Sequence, residues 1–464
     1  MTQCKNYNFK MQLKNRKKIV SDFKSGFITS NAGAMLLSSV ESKFNIIGKL
    51  SSAFSDFRKP ERVEHSVEDL LKQRIFALSC GYEDLNDHDA LSKDPLFATA
   101  LRKQDINGKN RKNKRFKGQA LASRSSLNRL ELTRPNKNKK ERYHNISADF
   151  EKIEKLPTKI FLENIEPNLK EIIIDFDATD NIIHGEQEHR FYHGYYNNYC
   201  YLPLYAFCGN DLLLAKLRKS NIDASKGTKE ILEWMIPMIR RKMPESRIVV
   251  RGDGGFCRDE IMTWCEKNGV EYILGASRND RLLKKVEWLL ELSRKLYDQT
   301  GEKQRIFGQI WYQTKKSWSR ERRVIVKAEY SSKGANPRFI VTNYSGINNL
   351  TDEIYDKIYC ARGDMENRIH EQMSLFSDRN SSSKFHANQL RLWFSAFSYI
   401  LLNKIREVGL KGTKDHNIRV STIMLKYLKI GALVTESHRR IHISMSSSYP
   451  EKEKYYKILQ RMQE

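Results

Sequence analysis

The sequence predicts an α/β protein built around a mixed sheet, and the segment between residues 150 and 275 carries most of that prediction. KEIIIDFDAT (170–179), RIVVRGD (247–253) and VEYILGAS (270–277) have the composition of buried strands, and YLPLYAFC with LLLAKLR (201–218) indicates a hairpin. The segments 228–243 and 258–269 have the apolar spacing of helices. Alternation of strands, a hairpin and helices is typical of a layered domain with a mixed sheet.

The remaining segments differ from this alternating core in composition. Residues 1–65 are polar and basic, and we expect a loosely packed leader. Ser66 begins an amphipathic helix with a capping signal, so residues 66–150 are predicted to form a helical domain with a basic arm. Three strand-like runs in 281–350 indicate a β-rich insertion between the core segments 151–280 and 351–410. Residues 411–464 are predicted to be a basic C-terminal tail.

Charge is the property that most restricts the function. The chain of 464 residues has 82 Lys and Arg against 56 Asp and Glu, so its formal charge is 82 − 56 = +26. An excess of this size favours a polyanionic partner, first nucleic acid and second an anionic membrane surface. No apolar run reaches the ~18–20 residues of a membrane helix, so no membrane is expected as a partner. In 102–142 there are fifteen basic residues against three acids, and we expect Lys112, Lys114 and Arg115 to contact DNA phosphates.

The cysteines predict neither a disulfide framework nor a zinc site. There are seven, an odd number without a CxxC pair. The four between 200 and 265 lack zinc-ligand spacing and are interpreted as buried free thiols. We therefore expect a reducing, cytoplasmic environment.

Acidic residues at three separated positions carry the predicted chemistry. Asp175 and Asp177 are two apart on a strand and face the same side, where they repel unless a cation lies between them. Asp253 follows a strand and is surrounded by glycines, and Glu366 lies on a predicted helix four residues after Arg362. Carboxylate oxygens are the ligands that Mg²⁺ prefers, so these acids suit a two-metal site for attack on a phosphodiester. The same residues also occur as turn residues and surface ion pairs.

Longer motifs give a family resemblance. DFDATD (175–180), the stretch HGEQEHRFYHGYYNNYCYLPLYAF (184–207), RIVVRGDGGFCRDEIMTWCEKNG (247–269) and YCARGDMENRIHEQ (359–372) resemble bacterial insertion-sequence transposases of the DDE transposase group-one family, the thirteen-eighty insertion-sequence family. GYEDLNDHDAL (81–91) and SWSRERRVIVKAEY (317–330) extend the resemblance over roughly 65 to 405. It implies a ribonuclease-H-like core with an N-terminal helical region that binds DNA.

The resemblance also implies roles for individual residues. The acidic triad carries over to Asp177, Asp253 and Glu366, with Asp175 as an alternative first acid and additional metal ligand, and Asp180 as a weaker one. Mg²⁺ or Mn²⁺, in two ions, is the implied cofactor. A helix signature in related transposases corresponds to Tyr359 and Arg362, which would contact the DNA backbone.

The resemblance also indicates one position where this chain departs from the family pattern and one segment that is expected to contact DNA. Met373 stands where the helix signature has Lys, and Lys384 or His370 are possible substitutes. The inserted segment of related transposases grips the element end, and here we expect Trp318, Arg322 and Arg323 to contact DNA, with Trp318 stacking on an unpaired base.

The predicted function is a DNA transposase that binds terminal inverted repeats of double-stranded DNA and catalyses metal-dependent cleavage and strand transfer. A homodimer on paired ends and a bacterial, nucleoid-associated location are expected with it. One alternative is a transposase-derived DNA-binding protein that does not cleave, and another is a metal-dependent nuclease that cuts without joining.

Overall fold

The chain divides into two compact units. The computed structural model describes residues 9–12, 18–135, 145–346 and 350–464. The helical unit comprises Met1–Ser51, Arg58–Leu130 and Lys404–Glu464. The sheet unit comprises Ser52–Phe57 and Glu131–Asn403.

A mixed sheet forms the centre of the sheet unit, as the sequence predicts. Within the described residues it has nine strands, of which eight are β1 (Glu171–Ala178), β2 (Leu204–Cys208), β3 (Asp211–Lys216), β4 (Arg247–Gly252), β5 (Glu271–Ala276), β6 (Gln304–Tyr312), β7 (Arg322–Ser331) and β8 (Arg338–Thr342). Their order is β3-β2-β1-β4-β5-β8-β7-β6, and the short strand Gly334–Ala335 pairs with β7. The strands β1, β4 and β5 are parallel neighbours, and the other pairs are antiparallel. The carboxyl ends of β1, β4 and β5 therefore meet at one edge.

The strands carry apolar residues on both faces of the sheet, so helical segments cover each face. The helices are α1 (Phe150–Asn164), α2 (Thr228–Lys242), α3 (Asp259–Lys267), α4 (Asp280–Lys285), α5 (Glu287–Thr300), α6 (Gly363–Met373) and α7 (Phe385–Lys404). Ile172, Ile174 and Phe176 of β1 belong to a large core that includes residues of α2 and α3. Ile173 packs in a smaller core with Ile354, which precedes α6. The segment before α6 thus lies on the opposite face of the sheet from α2 and α3.

Short strands complete the sheet unit. They form two small sheets, one of Phe54–Asp56, Arg134–Pro135 and Ile146–Ala148, the other of Asn181–Ile182, Phe191–His193 and Asn198–Tyr201. Against the main sheet, Trp393 of α7 donates its indole N–H to the Ala215 carbonyl of β3 (2.9 Å).

The strands of the predicted β-rich insertion are present, but they extend the main sheet instead of forming a separate body. Leu274 of β5 pairs with Val341 of β8, and Val324 of β7 pairs with the same residue from the other side. These valines lie in the same core as Ile172. Apolar residues on both faces allow the added strands to continue the core, so residues 281–346 belong to one layered unit.

The helical unit is built from both ends of the described chain. Its helices are Ala34–Phe44, Ile46–Ser51, Val67–Ser79, His88–Leu91, Pro95–Ala100, Arg124–Glu131, Val420–Ile423 and Lys452–Gln463. Its three-stranded sheet joins Phe27–Thr29 to Ala432–Glu436, which pairs with Ile441–Met445. A further pair joins Phe9–Gln12 to Lys18–Ser21. The predicted capping box is confirmed, because Ser66 and Asp69 exchange hydrogen bonds at the start of the helix Val67–Ser79.

Two segments differ from their predicted roles in this unit. Leu36, Leu37 and Ile47 are fully buried, so the described part of the predicted leader is a packed part of the domain. The predicted tail likewise supplies a sheet strand and the buried Tyr455 and Ile458. Polarity averaged over a long segment concealed these short apolar faces. Residues 1–8 and 13–17 of the leader and 136–142 of the basic arm lie outside the described residues.

Two sequence predictions concern membrane helices and cysteines. None of the helices in the described ranges has both the length and the apolar content needed to cross a bilayer. The six cysteines at 80, 200, 208, 257, 265 and 360, which are those in described residues, are all free. Cys200 and Cys265 are buried as predicted, whereas Cys208 and Cys257 are half-buried.

Candidate active site

Two aspartates lie at the edge where the parallel strands end. Phe176 of β1 is paired with Gly252 of β4, so Asp177 and Asp253 follow neighbouring positions in the two strands. Asp177, taken as a whole residue with its backbone, is 9 % exposed, and its Oδ1 accepts a hydrogen bond from the Ala178 N–H (2.9 Å). Parallel pairing thus brings together two carboxylates that are far apart in the chain.

Glycines around Asp253 shape its turn. Asp253 caps the short 3₁₀ turn Gly254–Phe256, and its Oδ1 accepts from the Gly255 N–H (2.8 Å). A Cβ at Gly252 would lie 2.9 Å from the Phe256 Cβ, and one at Gly255 would lie 2.9 Å from Asp253 Oδ1. Gly252 and Gly255 therefore leave room for protein atoms that hold the carboxylate in place.

The third acid comes from the helical segment 351–373. This segment changes from α-helix to a π-helical stretch (Ile354–Tyr359), then to a 3₁₀ turn (Cys360–Arg362), before α6 begins at Gly363. Arg362 ends the 3₁₀ turn, and Glu366 lies in the first turn of α6. The sequence predicts one regular helix here, whereas π-type irregularities are frequent at functional sites because they redirect side chains.

The three predicted acids converge on one guanidinium group. Arg362 Nη2 donates to Asp177 Oδ2 at 2.9 Å and lies 3.9 Å from Asp253 Oδ2. Arg362 Nη1 lies 3.9 Å from Glu366 Oε1. The side chains of Arg362 and Asp177 are 14 % and 13 % exposed, whereas Asp253 and Glu366 are 46 % and 67 % exposed. The site therefore has a buried end at Asp177 and an open side at Glu366.

Ionisation of Asp177 costs free energy in this position. The pKa of Asp177 is raised from 3.8 to about 6, chiefly because the side chain is buried and also because the carboxylates of Asp253 and Glu366 are near, while Arg362 acts in the opposite direction. A buried carboxylate beside two others requires a cation to remain ionised at neutral pH. Arg362 provides that charge in this structure.

Asp175, kept from the sequence as an alternative acid and metal ligand, has a different partner. Its Oδ2 accepts from Arg251 Nη2 (2.7 Å), and its Oδ1 accepts from Arg251 Nε. Arg251 also donates to the Ile358 carbonyl of the helical segment. Because both carboxylate oxygens of this buried aspartate accept hydrogen bonds from one guanidinium, Asp175 joins β1 to β4 in this structure, and its role as an additional metal ligand stays a prediction.

The donor chemistry of the site fits a hard divalent cation. Asp177, Asp253 and Glu366 offer carboxylate oxygens, and the structure already directs them at one positive group. In the present arrangement, no cluster of three or more His, Cys, Asp or Glu side chains in the described residues is close enough to hold a metal ion. The three acids thus have the ligand atoms and the common location that a divalent cation requires, and Arg362 lies between them.

A cavity of about 700 Å³ opens beside Asp253 and contains residues that the sequence did not indicate. Tyr359, which the sequence did predict, lines it together with Arg278 and Arg338, both exposed. A Cβ at Gly275 would lie 2.6 Å from Tyr359 Oη and 2.9 Å from the Gly254 nitrogen. Gly275 therefore permits the close approach of the tyrosine and the Asp253 turn. No local pattern distinguishes this glycine in the sequence.

Arg322 and Trp318, predicted to contact DNA, are occupied within the protein. Arg322 is 2 % exposed, with ion pairs to Asp259 (2.7 Å) and Glu266 (2.8 Å) of α3. Trp318 is half-buried, packs edge-on against Tyr312 at 5.7 Å between ring centroids, and has the Arg322 guanidinium over its ring. These two residues join the β6–β7 connection to α3 and are not a free stacking surface.

The other predicted DNA contacts have varied surroundings. Arg323 is half-buried, and its Nε donates to Gln309 Oε1 (2.7 Å). Lys112, Lys114 and Arg115 are exposed on the helical unit, and Lys112 Nζ donates to the Glu61 carbonyl (2.9 Å). Contact of these three exposed cations with DNA phosphates stays a prediction.

The possible substitutes for the missing helix lysine are also located. Met373 is half-buried at the end of α6, and His370 is exposed. Lys384 is ion-paired with Glu188 (2.6 Å). The lysine therefore already has an acidic partner within the protein.

Comparisons with known proteins identify the family. No curated protein matches the chain. Among solved structures, the piggyBac transposase synaptic complex with hairpin DNA is similar with a TM-score of 0.42 and 11 % identity, covering 85 % of this chain and 80 % of that chain. The family model described as transposase DDE domain group 1 matches residues 11–464. Because this match extends over nearly all of the sequence, the chain belongs to the transposase DDE domain group 1 family.

Proposed function

We propose that this protein is a cut-and-paste DNA transposase that cleaves DNA at the ends of an element and joins those ends to a target. The observation that carries the proposal is the convergence of Asp177, Asp253 and Glu366 on one cation, since each comes from a different element of the sheet unit. The family match supports the same chemistry. Convergent carboxylates beside a basic cavity suit phosphoryl transfer on DNA.

Asp177, Asp253 and Glu366 are the residues that would hold Mg²⁺ or Mn²⁺. When bound, such ions activate the attacking oxygen and stabilise the leaving oxygen of a phosphodiester. The carboxylates supply hard oxygen ligands, and burial of Asp177 favours any cation that neutralises it. Two ions are proposed from the ligand number and the family. Until such ions bind, Arg362 holds the carboxylates together and neutralises Asp177.

The chain's own side chains would position the DNA strand. Arg278 and Arg338 line the cavity next to Asp253 and would bind the phosphates on either side of the scissile one. Tyr359 lines the same cavity, and its hydroxyl, close to the Asp253 turn, would donate to a phosphate oxygen. Burial raises the pKa of Tyr359, so the phenol keeps its proton at neutral pH. These groups would orient the strand without forming a covalent intermediate.

The chain's formal charge of +26 supports DNA as the partner and recognition of the element ends by the helical unit. Since transposition joins two ends of an element, a homodimer on paired terminal inverted repeats is proposed. A transposase-derived DNA binder that no longer cleaves is the second candidate function, and the observation that favours it is Met373 in place of the signature lysine.

Supercoiled donor DNA with matched ends, incubated with the full chain and Mg²⁺, tests the proposal. Excision followed by integration is the expected result. Binding without cleavage would support the non-cleaving candidate, and degradation without joining would identify a nuclease.

Substitution of one acid then tests the site. Asp253→Asn should retain end binding, measured by mobility shift, and lose cleavage. Asp364→Asn is the matched control, because Asp364 is an exposed acid in the same first turn of α6 and is not one of the three acids that pair with Arg362. An Asp253→Asn variant that cuts at the wild-type rate would overturn the assignment.

A further inference from the structure

The Asp175–Arg251 ion pair lies next to the strand aspartates of the active site. In the register of β1 and β4, Arg251 is opposite Asp175, and the two residues precede Asp253 and Asp177 by two positions each. The side chains of Arg251 and Asp175 are 8 % and 6 % exposed. Residues two apart in an extended chain point to the same face, so the buried pair and the two aspartates occupy successive positions on one face of the sheet.

The helical segment that carries the third acid covers this face. Val249 and Ile354 are buried in one core cluster, and Ile173 and Ile358 pack against it. Val249 and Ile173 precede the two members of the ion pair by two residues each, so they lie on the same face as the pair. The ion pair therefore faces the segment that leads to Glu366.

Arg251 connects this segment to the sheet through a backbone carbonyl. Its Nη2 donates to Asp175 Oδ2 (2.7 Å), its Nε donates to Asp175 Oδ1, and its Nη1 donates to the Ile358 carbonyl. Each guanidinium nitrogen thus has an acceptor in the sheet unit. Because a bidentate carboxylate fixes the plane of a guanidinium, it also fixes the direction of the remaining hydrogen bond to Ile358.

Ile358 lies where the hydrogen-bond pattern of the segment changes. It belongs to the π-helical stretch Ile354–Tyr359, which is followed at once by the 3₁₀ turn Cys360–Arg362. A helix that changes its pattern has no single straight axis, so its direction beyond the change depends on contacts made at the change. The Arg251 contact therefore acts at the point that directs the first turn of α6, where Glu366 lies.

Two arginines connect the segment to the sheet in different ways. Arg362 extends from the segment to the acids, with Asp177 at 2.9 Å, and so occupies the position between them. Arg251 extends from the sheet to the backbone of the segment, and its contacts are made to Asp175 and Ile358. Displacement of Arg362 by a cation would leave the Arg251 contacts intact.

We propose that Arg251 is a positioning residue of the active site, which holds the Ile358 carbonyl so that Glu366 reaches a cation bound by Asp177 and Asp253. The inference rests on the proposed function for the role of these acids as metal ligands. Arg251 itself contacts neither DNA nor the cation. Residues that orient metal ligands typically contribute about 10–100-fold to metal affinity.

Arg251→Lys tests the inference, because it keeps a positive charge beside Asp175 but removes the planar fork that bridges two acceptors. Arg247→Lys is the matched control. Arg247 begins the same strand, is opposite Glu171 and pairs with it across the sheet (3.9 Å), at the end of β4 away from Asp253. In EDTA, amide hydrogen exchange in 354–366 should accelerate about tenfold in Arg251→Lys and stay at the wild-type rate in Arg247→Lys.

Glu366→Gln, alone and combined with each lysine variant, separates positioning from stability. The rise in melting temperature on replacing EDTA by graded Mg²⁺ gives the Mg²⁺ affinity of each protein. Glu366→Gln should weaken Mg²⁺ binding about tenfold in wild type and in Arg247→Lys, but less than about twofold in Arg251→Lys, where the acid is already out of reach. A general loss of stability does not change this difference. An equal loss in Arg251→Lys and wild type overturns the inference.

A double variant covers the case in which Arg251→Lys does not fold. Asp175→Leu with Arg251→Met replaces the ion pair by apolar side chains and leaves no buried charge without a partner. Exchange in 354–366, measured in EDTA so that metal ligation plays no part, should again accelerate about tenfold. Exchange at the wild-type rate in this double variant contradicts the positioning role.

The outcomes separate this inference from the proposed function. If Glu366→Gln leaves the Mg²⁺ affinity of the wild type unchanged while Arg251→Lys accelerates exchange in 354–366, the metal site is refuted and the role of Arg251 in holding the segment stands. If the wild type cleaves DNA and Glu366→Gln weakens Mg²⁺ binding equally in wild type and Arg251→Lys, the positioning role alone is refuted.

Discussion

Arg362 donates a 2.9 Å hydrogen bond to Asp177, and the same guanidinium also lies 3.9 Å from both Asp253 and Glu366. A single cation thus holds three carboxylates that would otherwise repel one another. Since a divalent ion at these carboxylates has to overcome repulsion from Arg362, this arginine opposes metal binding in the arrangement seen here.

Arg362→Ala is therefore expected to bind Mg²⁺ more tightly than the wild type. The measurement is the rise in melting temperature on replacing EDTA by excess Mg²⁺, since a ligand that binds only the folded state stabilises it. A tenfold gain in affinity corresponds to about 1.4 kcal/mol of additional stabilisation. Lys357→Ala removes an exposed cation from the same helical segment and is the control. Equal Mg²⁺ shifts in Arg362→Ala and wild type would show that Arg362 does not compete with the metal.

Asp177 should make the metal-free protein less stable as the pH rises. Its pKa is raised from an ordinary value of 3.8 to about 6. The stabilising contribution of its protonated form is complete below about pH 4 and is lost as the pH rises through about 6, a change on the order of 3 kcal/mol. In EDTA, urea unfolding at about pH 5 and about pH 8 should show a smaller decline for Asp177→Asn than for wild type. Asp364→Asn should keep the wild-type decline, and the idea fails if all three proteins decline equally.

Arg322 is expected to affect stability more than DNA affinity. Its side chain is 2 % exposed and pairs with Asp259 and Glu266, so Arg322→Met would leave two carboxylates without their buried cation. Breaking such a pair costs about 3–5 kcal/mol, measurable by urea unfolding. Arg320→Met is matched to it, since Arg320 also pairs with Glu266 (2.9 Å) but is 60 % exposed, and it should cost less than about 1 kcal/mol. Similar losses for the two variants would contradict this role.

The sequence located the strand ends and the helix of the site because each has a local signature. A β-branched run precedes Asp177, a strand and glycines flank Asp253, and a helical pattern contains Glu366. Their meeting point follows from parallel pairing of β1 with β4, which apolar patterning indicates without specifying the register.

Local sequence patterns do not show which side chains from distant elements pair with each other. The run SRERR (319–323) has the same composition whether its arginines are free or paired, so Arg322 was assigned to DNA. The side chains that accept hydrogen bonds from it, the acids Asp259 and Glu266 and the hydroxyl of Thr263, recur on one face of α3, a spacing that the sequence does contain. Likewise, the Asp175–Arg251 pair depends on two strands lying side by side in register. The added strands β6–β8 looked like an insertion because the sequence does not show which strands pair.

Gly275→Ala tests whether the cavity beside Asp253 is built for close approach. The added Cβ would lie 2.6 Å from Tyr359 Oη, 2.9 Å from the Gly254 nitrogen and 3.2 Å from the Asp253 carbonyl carbon, so the Asp253 turn has to move. Overpacking of this kind costs about 1–3 kcal/mol, and displacement of a catalytic group by about 1 Å lowers rates about 100-fold. DNA cleavage should fall accordingly while DNA binding persists.

Two further variants are controls for this prediction. Adding Tyr359→Phe removes only the hydroxyl contact, so it should not restore cleavage. Gly194→Ala, where a Cβ meets nothing within 4 Å, should cleave as wild type. Full activity in Gly275→Ala would mean that the position of Asp253 is not critical for cleavage.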